Sequence, residues 1–369
     1  MTMPFYTLGN SGLRVTRLAL GTMTFGTEWG WGADKESARL LFDAYVEAGG
    51  NFFDTADAYT SGTSESWLGE FVAERGLRDK AVISTKFSMN IAAPGNPNAA
   101  GNGRKNILRA VEGSLKRLGT DYIDLYILHC WDRLTSPEEV MRTMDDLVRS
   151  GKVRHVGLSD VPAWYASRAQ TLAEFRGYEP VSALQLEYSL VERSIEHEFS
   201  PLASRYGMGL MVWSPLASGL LSGKYRADAE SKGRLDLMRD TSNPGFRKFS
   251  DRNWAIVAEL EKVSAELGRS MAQVALNWVA TQPGVASVIV GATKPAQLDD
   301  NLAALDFTIP PPLRARLDAA SAPAVPFPHS FFGPEIQGGL TGGATVGAKP
   351  PGYFPDLTLS GSFAGVGPD

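Results

Sequence analysis

Eight short apolar segments alternate with helix-type segments along most of the chain, and this alternation limits the fold more than any other feature. The predicted strands are LALGTM, NFFDT, AVISTK, YIDLYILH, VRHVGLS, VSALQLEY, GLMVWS and VASVIVGA. Helical spacing of apolar residues follows the strands, as in DKESARLLFDAYVEAG, where Asp34 is the expected N-cap and Gly49 the stop signal. Eight strand–helix units predict a closed (β/α)8 barrel. An earlier GNSG turn between two apolar runs predicts an N-terminal β-hairpin.

A doubly wound parallel sheet is the competing architecture. It usually carries a glycine-rich dinucleotide turn after an early strand, and no G-x-G-x-x-G occurs at such a position. The segment GLLSGKY at 219–225 resembles a P-loop, but it has three spacer residues where four are needed. Tyr225 also occupies the place of the magnesium-binding Ser or Thr. The barrel is therefore the favoured prediction for residues 1–322.

Composition excludes several classes of function. The 369 residues are 43% hydrophobic, enough for one large domain, and the formal net charge of -5 gives no basic surface for nucleic acid or an anionic membrane. The single cysteine, Cys130, fits a reducing compartment, and neither a signal peptide nor a membrane-spanning apolar run is apparent. Four histidines and one cysteine form no metal-ligand spacing. We expect a cytoplasmic protein without metal, and a monomer in slight preference to an oligomer.

Four polar side chains of complementary type follow three consecutive predicted strands. Asp54 and Tyr59 follow the second strand, Lys86 closes the third, and His129 closes the fourth. Catalytic residues of (β/α)8 barrels lie at the carboxyl ends of the strands, so these four side chains should meet at one mouth. Each alone has a structural interpretation, as a cap, a rim residue, a solvated lysine or a core histidine. Together they favour a catalytic site.

Several segments in order carry a resemblance to a known family. FFDTADAY, ISTK, LYILH, GLS, LQLEYSL, WSPLASGLLSGKY and VIVGATKPAQLDDN resemble the signature series of the aldo-keto reductases, from about residue 5 to about residue 320. The WSPLASGLLSGKY segment is most similar to the branch of bacterial and plant-type reductases and potassium-channel β-subunits. The resemblance implies a (β/α)8 barrel that reduces a ketone or aldehyde to an alcohol with NADPH, the reverse oxidation being possible.

The resemblance implies a role for each residue of the tetrad. Tyr59 is the general acid, and a free tyrosine with a pKa near 10 needs a nearby cation to favour the phenolate. Lys86 supplies that cation, and Asp54 holds Lys86 as its counter-ion. His129 orients the carbonyl group as a neutral imidazole. Asp57 has no part in this scheme and is expected to be a loop or capping residue.

The resemblance also implies a cofactor site in three parts. The nicotinamide end is expected to contact Gly21, Thr22, Met23, Asp54, Ser159, Asp160, Gln185 and Trp213. The pyrophosphate is expected to contact Ser214, Pro215, Leu216, Ser218, Gly219 and Lys224. The adenosine end is expected to contact Arg234, Gly291, Thr293, Lys294, Gln297, Asp300 and Asn301. Asp160 and Trp213 depart from the family, which more often has Asn and Tyr there.

Lys294 bears on the choice of cofactor. It stands beside a predicted helix start, which is a natural site for the 2′-phosphate of NADPH. This favours NADPH over NADH, and an exposed helix-start lysine without a ligand is the alternative.

The substrate region and the C-terminal segment are less constrained by the sequence. Aromatic and apolar residues near the strand ends predict a pocket for a bulky or ring-containing carbonyl compound, with rim packing as the alternative: Trp29, Trp31, Phe87, Met89 and Trp131.

Residues 323–369 form a Gly/Pro-rich extension that is expected to lack regular structure. It is either a loose tail or an ordered flap that VPFPHSFF anchors near the pocket.

A regulatory subunit is the alternative function. The resemblance includes channel β-subunits, so the chain could bind the cofactor, turn over slowly and act mainly on a protein partner. His129 favours a working enzyme, since those subunits carry Asn at that position. Steady NADPH turnover with ketones would separate the two functions.

Overall fold

The fold is a closed barrel of eight parallel strands in which the last strand pairs with the first. The structure of the chain, a computed structural model, describes residues 3–91, 95–226, 234–237 and 242–344. A two-stranded antiparallel hairpin, β1 (Phe5–Thr7) with β2 (Arg14–Thr16), precedes the barrel. The predicted (β/α)8 architecture and the N-terminal hairpin are both confirmed.

The barrel strands are short and almost continuously buried, as expected when helices cover one face and the barrel interior covers the other. They are β3 (Leu18–Gly21), β4 (Phe52–Asp54), β5 (Val82–Phe87), β6 (Ile123–Leu128), β7 (Val153–Ser159), β8 (Val181–Glu187), β9 (Gly209–Trp213) and β10 (Val285–Val290). Each of the eight predicted strands corresponds to one of these, with boundaries shifted by a few residues.

Helices connect the strands and continue the chain after the last one. They are α1 (Lys35–Glu47), α2 (Thr63–Glu74), α3 (Arg104–Leu118), α4 (Pro137–Arg149), α5 (Ala163–Arg176), α6 (Ile195–Tyr206), α7 (Arg234–Leu237), α8 (Asp251–Leu267), α9 (Met271–Ala280), α10 (Pro295–Leu302), α11 (Pro311–Ala320) and α12 (Pro334–Leu340). The expected cap of α1 is confirmed, because Asp34 accepts a hydrogen bond from the Ser37 N–H at 2.8 Å. Among the described residues, no helix is both long and apolar enough to cross a bilayer.

Two apolar layers surround the strands. The larger layer lies between the strands and the helices and contains Phe42 and Trp278. The smaller one fills the barrel interior, where Met211 packs with Leu8 and Val15 from the hairpin segment. The hairpin therefore closes the amino-terminal end of the barrel, and the carboxyl ends of the strands form the open mouth.

Residues 214–250, between β9 and α8, form a long segment that we call the insertion. It begins with a 3₁₀ turn at Ala217–Ser222, so GLLSGKY lies on this turn and not on a P-loop. Tyr225 is fully buried, and its hydroxyl accepts a hydrogen bond from the Leu235 N–H at 3.0 Å. The Tyr225 ring also contacts Phe249 at a centroid distance of 5.6 Å. These contacts join the described parts of the insertion to one another.

The C-terminal extension is more regular than expected. Its described part contains a 3₁₀ turn at His329–Phe332 and the short helix α12, whereas the Gly/Pro content predicted no regular structure. The prediction is wrong because Pro334 stands in the first helical turn, where its missing N–H has no intrahelical partner to lose. Two further aromatic residues of the extension, Tyr353 and Phe354, lie outside the described residues.

The extension is attached to the start of α6. The Nε2 atom of His329 lies 2.8 Å from Oε1 of Glu198, and the rings of His329 and His197 are 5.2 Å apart. Helices of the outer ring begin near the mouth, since they run back from the carboxyl end of the preceding strand. The VPFPHSFF segment is therefore fixed on the mouth side of the helical ring.

Candidate active site

Three neighbouring strands bring the four predicted catalytic residues together. Asp54 ends β4, Lys86 lies near the end of β5, and His129 directly follows β6. Tyr59 follows β4 in a short loop, and the N–H of Asp57 in that loop donates to the carbonyl oxygen of Lys86 at 3.2 Å. This backbone bond ties the loop to β5 and places Tyr59 beside Lys86.

Lys86 is fully buried, and its ammonium group makes three hydrogen bonds. It donates to Oδ2 of Asp54 at 2.7 Å, to the carbonyl oxygen of Thr55 at 2.7 Å and to the hydroxyl of Tyr59 at 3.2 Å. Burial opposes the charge on Lys86, but Asp54 and Tyr59 more than offset it, so the pKa of Lys86 is raised. The lysine is therefore a fixed cation that favours negative charge on the phenol oxygen.

Asp54 is held as rigidly as the lysine that it pairs with. Its Oδ1 accepts hydrogen bonds from Ser84 Oγ at 2.8 Å and from Gln185 Nε2 at 2.8 Å, while Oδ2 accepts from Lys86. The Thr22 N–H donates to the Asp54 carbonyl oxygen at 2.8 Å. The carboxylate thus has one position and one orientation toward Lys86.

His129 lies edge-on to the tyrosine. Its ring centroid is 5.8 Å from that of Tyr59, at an interplanar angle of 78°. Burial lowers the pKa of His129 to about 3, with the Lys86 charge as the second cause. The imidazole is therefore neutral at physiological pH and can take part in a hydrogen bond with a carbonyl oxygen in the mouth.

The side chain of Asp57 is buried in the loop that follows β4. The residue is fully buried, and neither carboxyl oxygen has a hydrogen-bond partner within the described ranges. Burial raises the pKa of Asp57 to about 7, and Glu65 adds to this while Arg117 opposes it. The buried hydroxyl of Tyr126 likewise has no partner in the described part of the chain. Asp57 is therefore a buried loop residue, which is one of the two placements that the sequence predicted.

The residues predicted for the nicotinamide end lie on one rim. Gly21, Thr22, Met23, Ser159, Asp160 and Trp213 stand at or shortly after the ends of β3, β7 and β9, and Gln185 lies two residues before the end of β8. The two departures from the family pattern are bonded to each other, because Trp213 Nε1 donates to Asp160 Oδ1 at 3.2 Å. Partial enclosure by protein raises the pKa of Asp160 to about 6, and the Glu187 charge adds to this while the Trp213 hydrogen bond opposes it.

The residues predicted for the pyrophosphate lie on the first turn of the insertion, which also includes Pro215 and Leu216. Ser214, Ala217 and Ser218 have φ values of 53°, 48° and 56° although they are not glycine. Strained backbone of this kind is concentrated at ligand-binding and switch segments. A Cβ on Gly219 would lie 2.7 Å from Cε of Lys224, so glycine lets that lysine lie across the turn.

The residues predicted for the adenosine end lie at the start of α10 or just before it. Lys294 is the exposed N-cap residue, and the Thr293 N–H donates to Gln297 Oε1 at 2.9 Å. Asp300 was predicted to contact the adenosine, but its carboxylate accepts hydrogen bonds within the protein, from Ser270 and Gln273, both at 2.8 Å. Gly291 and Asn301, which were also predicted for the adenosine end, lie close to one another. The side chain of Arg234 lies outside the described residues.

Aromatic residues border the mouth on two sides. Trp29 stands edge-on to Tyr59, with ring centroids 6.4 Å apart, and contacts Trp31 at 5.5 Å. Trp131 contacts Trp164, which the sequence did not single out, at 5.7 Å. Trp29, Trp164 and Met89 are all partly open to solvent, so they leave apolar surface for a ligand.

Phe87 does not line the mouth, which corrects the prediction. It is fully buried, and its ring lies 4.9 Å from that of Tyr126 in the layer between strands and helices. Successive residues of a strand point to opposite faces, so Phe87 must face outward when Lys86 faces the barrel interior.

Comparison with known proteins now identifies the family. Residues 17–322 match the model of the Aldo/keto reductase family. The chain belongs to the aldo/keto reductase family. It is 38% identical over 310 residues to a probable voltage-gated potassium channel subunit beta from Oryza sativa subsp. japonica, covering 82% of this chain and 92% of the relative.

Two further relatives carry enzyme names. An uncharacterized oxidoreductase, YrpG, from Bacillus subtilis (strain 168) is 38% identical over 317 residues, covering 83% of this chain and 92% of the relative. An aryl-alcohol dehydrogenase [NADP(+)] from Phanerodontia chrysosporium is 34% identical over 342 residues, covering 87% of this chain and 86% of the relative. As a member of the aldo/keto reductase family, the chain is an oxidoreductase of a family that acts on small carbonyl compounds with NAD(P)H.

The residues of this aldo/keto reductase fit a dinucleotide cofactor. The strained turn at Ser214–Gly219 and the bonded pair of Asp160 and Trp213 lie on the same side of the mouth. At Gly291 a Cβ would lie 3.8 Å from its nearest neighbour, so the backbone there is open to close approach. No cluster of three or more metal-ligating side chains occurs in the described ranges.

Sequence reasoning missed some of the residues that complete the site. Ser84 lies two residues before Lys86, so strand alternation alone places it on the same inward face. The Thr55 carbonyl oxygen is a backbone acceptor. Every residue carries such a group, so the residue type does not indicate this role. A buried ion pair between Glu187 and Lys248 had no sequence signal, because Lys248 lies in the insertion, where no periodicity applies.

Proposed function

We propose that this aldo/keto reductase reduces a ketone or aldehyde to an alcohol with NADPH as the hydride donor and Tyr59 as the general acid. One observation carries the proposal: the buried Lys86 ammonium lies 3.2 Å from the Tyr59 hydroxyl while Asp54 and the Thr55 carbonyl fix its position. A phenol next to a fixed cation can give up a proton to a developing alkoxide and take it back in the reverse oxidation.

Each residue of the tetrad has a separate task. NADPH, when bound, supplies the hydride. Tyr59 donates its hydroxyl proton to the carbonyl oxygen, and Lys86 stabilises the negative charge that remains on the phenol oxygen. Asp54 keeps Lys86 in place and charged. His129, neutral because its pKa is about 3, orients the carbonyl oxygen by a hydrogen bond.

The substrate is a bulky or ring-containing carbonyl compound. Support comes from the aromatic residues around the mouth, where Trp29 stands edge-on to Tyr59 and the Trp131–Trp164 pair borders another side. Aromatic walls favour flat, apolar ligands over small hydrophilic ones. The relative from Phanerodontia chrysosporium, named an aryl-alcohol dehydrogenase, supports the same substrate class.

NADPH is the preferred cofactor over NADH. Support comes from Lys294, an exposed cation at the N-terminus of α10, where backbone N–H groups also favour a phosphate. The name of the same relative, which includes NADP(+), agrees with this choice.

A panel assay tests the proposal. The purified chain is mixed with NADPH, or with NADH, and with aromatic, bulky aliphatic and small aldehydes and ketones, and the loss of reduced cofactor is followed by absorbance. We expect sustained turnover, fastest with NADPH and aromatic carbonyl compounds. Tight cofactor binding with almost no turnover across the panel would contradict the proposal. It would favour the alternative of a cofactor-binding subunit that acts on a protein partner, and the relative from Oryza sativa subsp. japonica is named a probable channel subunit beta.

A further inference from the structure

A loop that follows β3 carries two of the aromatic residues that border the mouth. We call this segment, residues 24–33, the tryptophan loop, because it contains Trp29 and Trp31. Its base is closed, since the Gly26 N–H donates to the Ala33 carbonyl oxygen at 3.0 Å. Its tip, which includes Trp29, is exposed. The position of the tip therefore depends on specific contacts with neighbouring segments more than on burial.

The turn that carries the proposed acid is strained and is bonded to the tryptophan loop. Thr60, Ser61 and Gly62, which directly follow Tyr59, have φ values of 46°, 55° and 98°. A β-branched residue such as threonine adopts this conformation only at a cost in free energy. Thr60 is buried, and its hydroxyl donates to the Phe25 carbonyl oxygen at 2.8 Å. The tryptophan loop therefore helps to hold the turn after Tyr59 in its strained form.

A second contact joins the two segments at Glu28. The Thr63 hydroxyl donates to Oε1 of Glu28 at 2.6 Å, and this bond lowers the pKa of Glu28, so the side chain is a carboxylate at neutral pH. Thr63 is the first residue of α2, where the helix dipole favours a negative charge. The other carboxylate oxygen lies over Gly26, where a Cβ would be only 2.5 Å from it. The Glu28 side chain therefore lies between Gly26 and the start of α2.

Glu28 directly precedes the tryptophan that stands beside the proposed acid. The Trp29 ring is edge-on to that of Tyr59, with centroids 6.4 Å apart, and contacts Trp31 at 5.5 Å. Fixing the Glu28 side chain fixes the backbone from which the Trp29 ring extends. A wall that is ordered before the ligand arrives costs less conformational entropy on binding. This benefit is confined to ligands that are large enough to touch the wall.

We propose that Glu28 is a positioning residue that selects for ring-containing carbonyl substrates, because its bond with Thr63 holds the Trp29 ring beside Tyr59. The proposal rests on the proposed function, since it requires Tyr59 to be the acid at which the carbonyl group reacts. Glu28 acts through Trp29 and not on the reacting atoms. Its loss should therefore weaken the binding of large substrates without changing the chemical step for small ones.

Glu28→Ala tests this selection. Steady-state kinetics with NADPH compare an aromatic aldehyde with a small aliphatic aldehyde. We expect KM for the aromatic aldehyde to rise about three- to tenfold, as for the loss of one hydrogen bond, while kcat for both and KM for the small aldehyde change by less than about twofold. Thr63→Val, which removes the donor at nearly the same volume, should have the same effect. Unchanged KM values, or equal changes for the two aldehydes, would overturn the proposal.

Two control variants separate the hydrogen bond from the loss of surface charge. Glu28→Gln keeps an oxygen that can accept from Thr63, so KM for the aromatic aldehyde should stay within about twofold of the value for the unmodified chain. Glu36→Ala, which removes an exposed carboxylate from the first turn of α1, should likewise leave KM unchanged. A rise in Glu36→Ala as large as in Glu28→Ala would overturn the proposal. Should Glu28→Ala fail to fold, an unchanged KM in Thr63→Val would overturn it instead.

A double-mutant cycle shows whether Glu28 acts through Trp29. In a Trp29→Leu background, the further change Glu28→Ala should leave KM for the aromatic aldehyde unchanged, because the ring that Glu28 positions is already gone. If Glu28→Ala raised KM by the same factor with and without Trp29, the two residues would act independently and the proposal would be wrong.

Hydrogen exchange gives a readout that needs neither cofactor nor substrate. Amide exchange in peptides covering residues 24–33 should be faster in Glu28→Ala and Thr63→Val than in Glu28→Gln, because loss of the bond loosens the loop. Equal exchange in the three variants would overturn the positioning role. The proposed function fails separately: an unmodified chain that reduces no aldehyde with NADPH or NADH would overturn it. An unmodified chain that reduces both aldehydes, with the same ratio of KM values as Glu28→Ala, would overturn the positioning role alone.

Discussion

A buried lysine is tolerated at position 86 because each of its donors meets a partner. A carboxylate, a backbone carbonyl and a phenol surround the ammonium group, and the carboxylate is in turn bonded by Ser84 and Gln185. Loss of one partner would leave a buried charge without compensation, which is among the most destabilising changes in a protein interior. Selection for stability alone would favour an apolar residue here, so the network is better explained by the chemistry of Tyr59.

Asp57 gives a residue-scale prediction about pH. Its pKa is raised from 3.8 to about 7 in the folded chain, so folding favours the protonated form. The contribution of this group to stability is fully present below about pH 4 and is lost as the pH rises through about 7. Asp57→Asn removes the titration, so its free energy of unfolding relative to the unmodified chain should rise by about 2 kcal/mol between pH 5 and pH 7.

Urea unfolding at several pH values checks this prediction. Asp79→Asn, at an exposed position on the surface, is the matched control and should show a difference from the unmodified chain that is independent of pH. If the difference for Asp57→Asn were equally flat from pH 5 to pH 7, the buried carboxyl group would not titrate there.

Lys294 gives a second residue-scale prediction. Lys294→Ala removes one charge-assisted contact with a 2′-phosphate, worth about 1.5–3 kcal/mol, so NADPH affinity should fall roughly ten- to a hundredfold. NADH affinity should stay nearly unchanged, and both are measured by quenching of tryptophan fluorescence. Lys116→Ala, at an exposed position on α3, is the control. Equal losses for the two cofactors would remove the 2′-phosphate assignment.

At the scale of elements, the barrel strands and the insertion are built on different principles. The alternation of a strand decides that Lys86 faces the interior and Phe87 the helices, so the sequence alone constrains both. The insertion has no such period. Its described parts depend on long-range contacts such as Tyr225 with Leu235 and Lys248 with Glu187.

The C-terminal extension gives a prediction at this scale. It is fixed on the mouth side of α6 by His329, and Phe327 and Phe331 nearby expose much of their apolar surface. We expect deletion of residues 324–369 to raise KM for bulky ketones more than for small aldehydes, while NADPH binding persists. Thermal stability should fall modestly, because the contacts with α6 are lost.

A shorter deletion, residues 345–369, is the matched control because it keeps the described contacts with α6. Steady-state kinetics and thermal unfolding are compared for the two truncations. Equal KM values and equal melting temperatures for the longer deletion and the full chain would mean that the extension has no part in substrate binding.

At the scale of the whole molecule, the sequence predicts the barrel and the tetrad but not all of their supports. Strand periodicity and helix caps such as Asp34 depend only on residues close together in the sequence, so they can be recognised from the sequence alone. The four residues of the proposed tetrad could be recognised from the sequence because barrel topology brings strand ends to one mouth. The ion pair of Glu187 with Lys248 was not readable, since a pairing across that distance depends on tertiary packing. α12 was missed because proline was interpreted as a helix breaker and not as a first-turn residue.

We propose that closure of the barrel places an acid, a cation and a neutral imidazole around one carbonyl oxygen. The most direct test is the single-turnover rate of Tyr59→Phe with bound NADPH and an aromatic aldehyde, measured beside NADPH affinity. Removing a positioned acid should lower the rate by about 10²–10⁴-fold, with NADPH affinity nearly unchanged. A variant that keeps more than about a tenth of the rate would show that Tyr59 is not the proton donor.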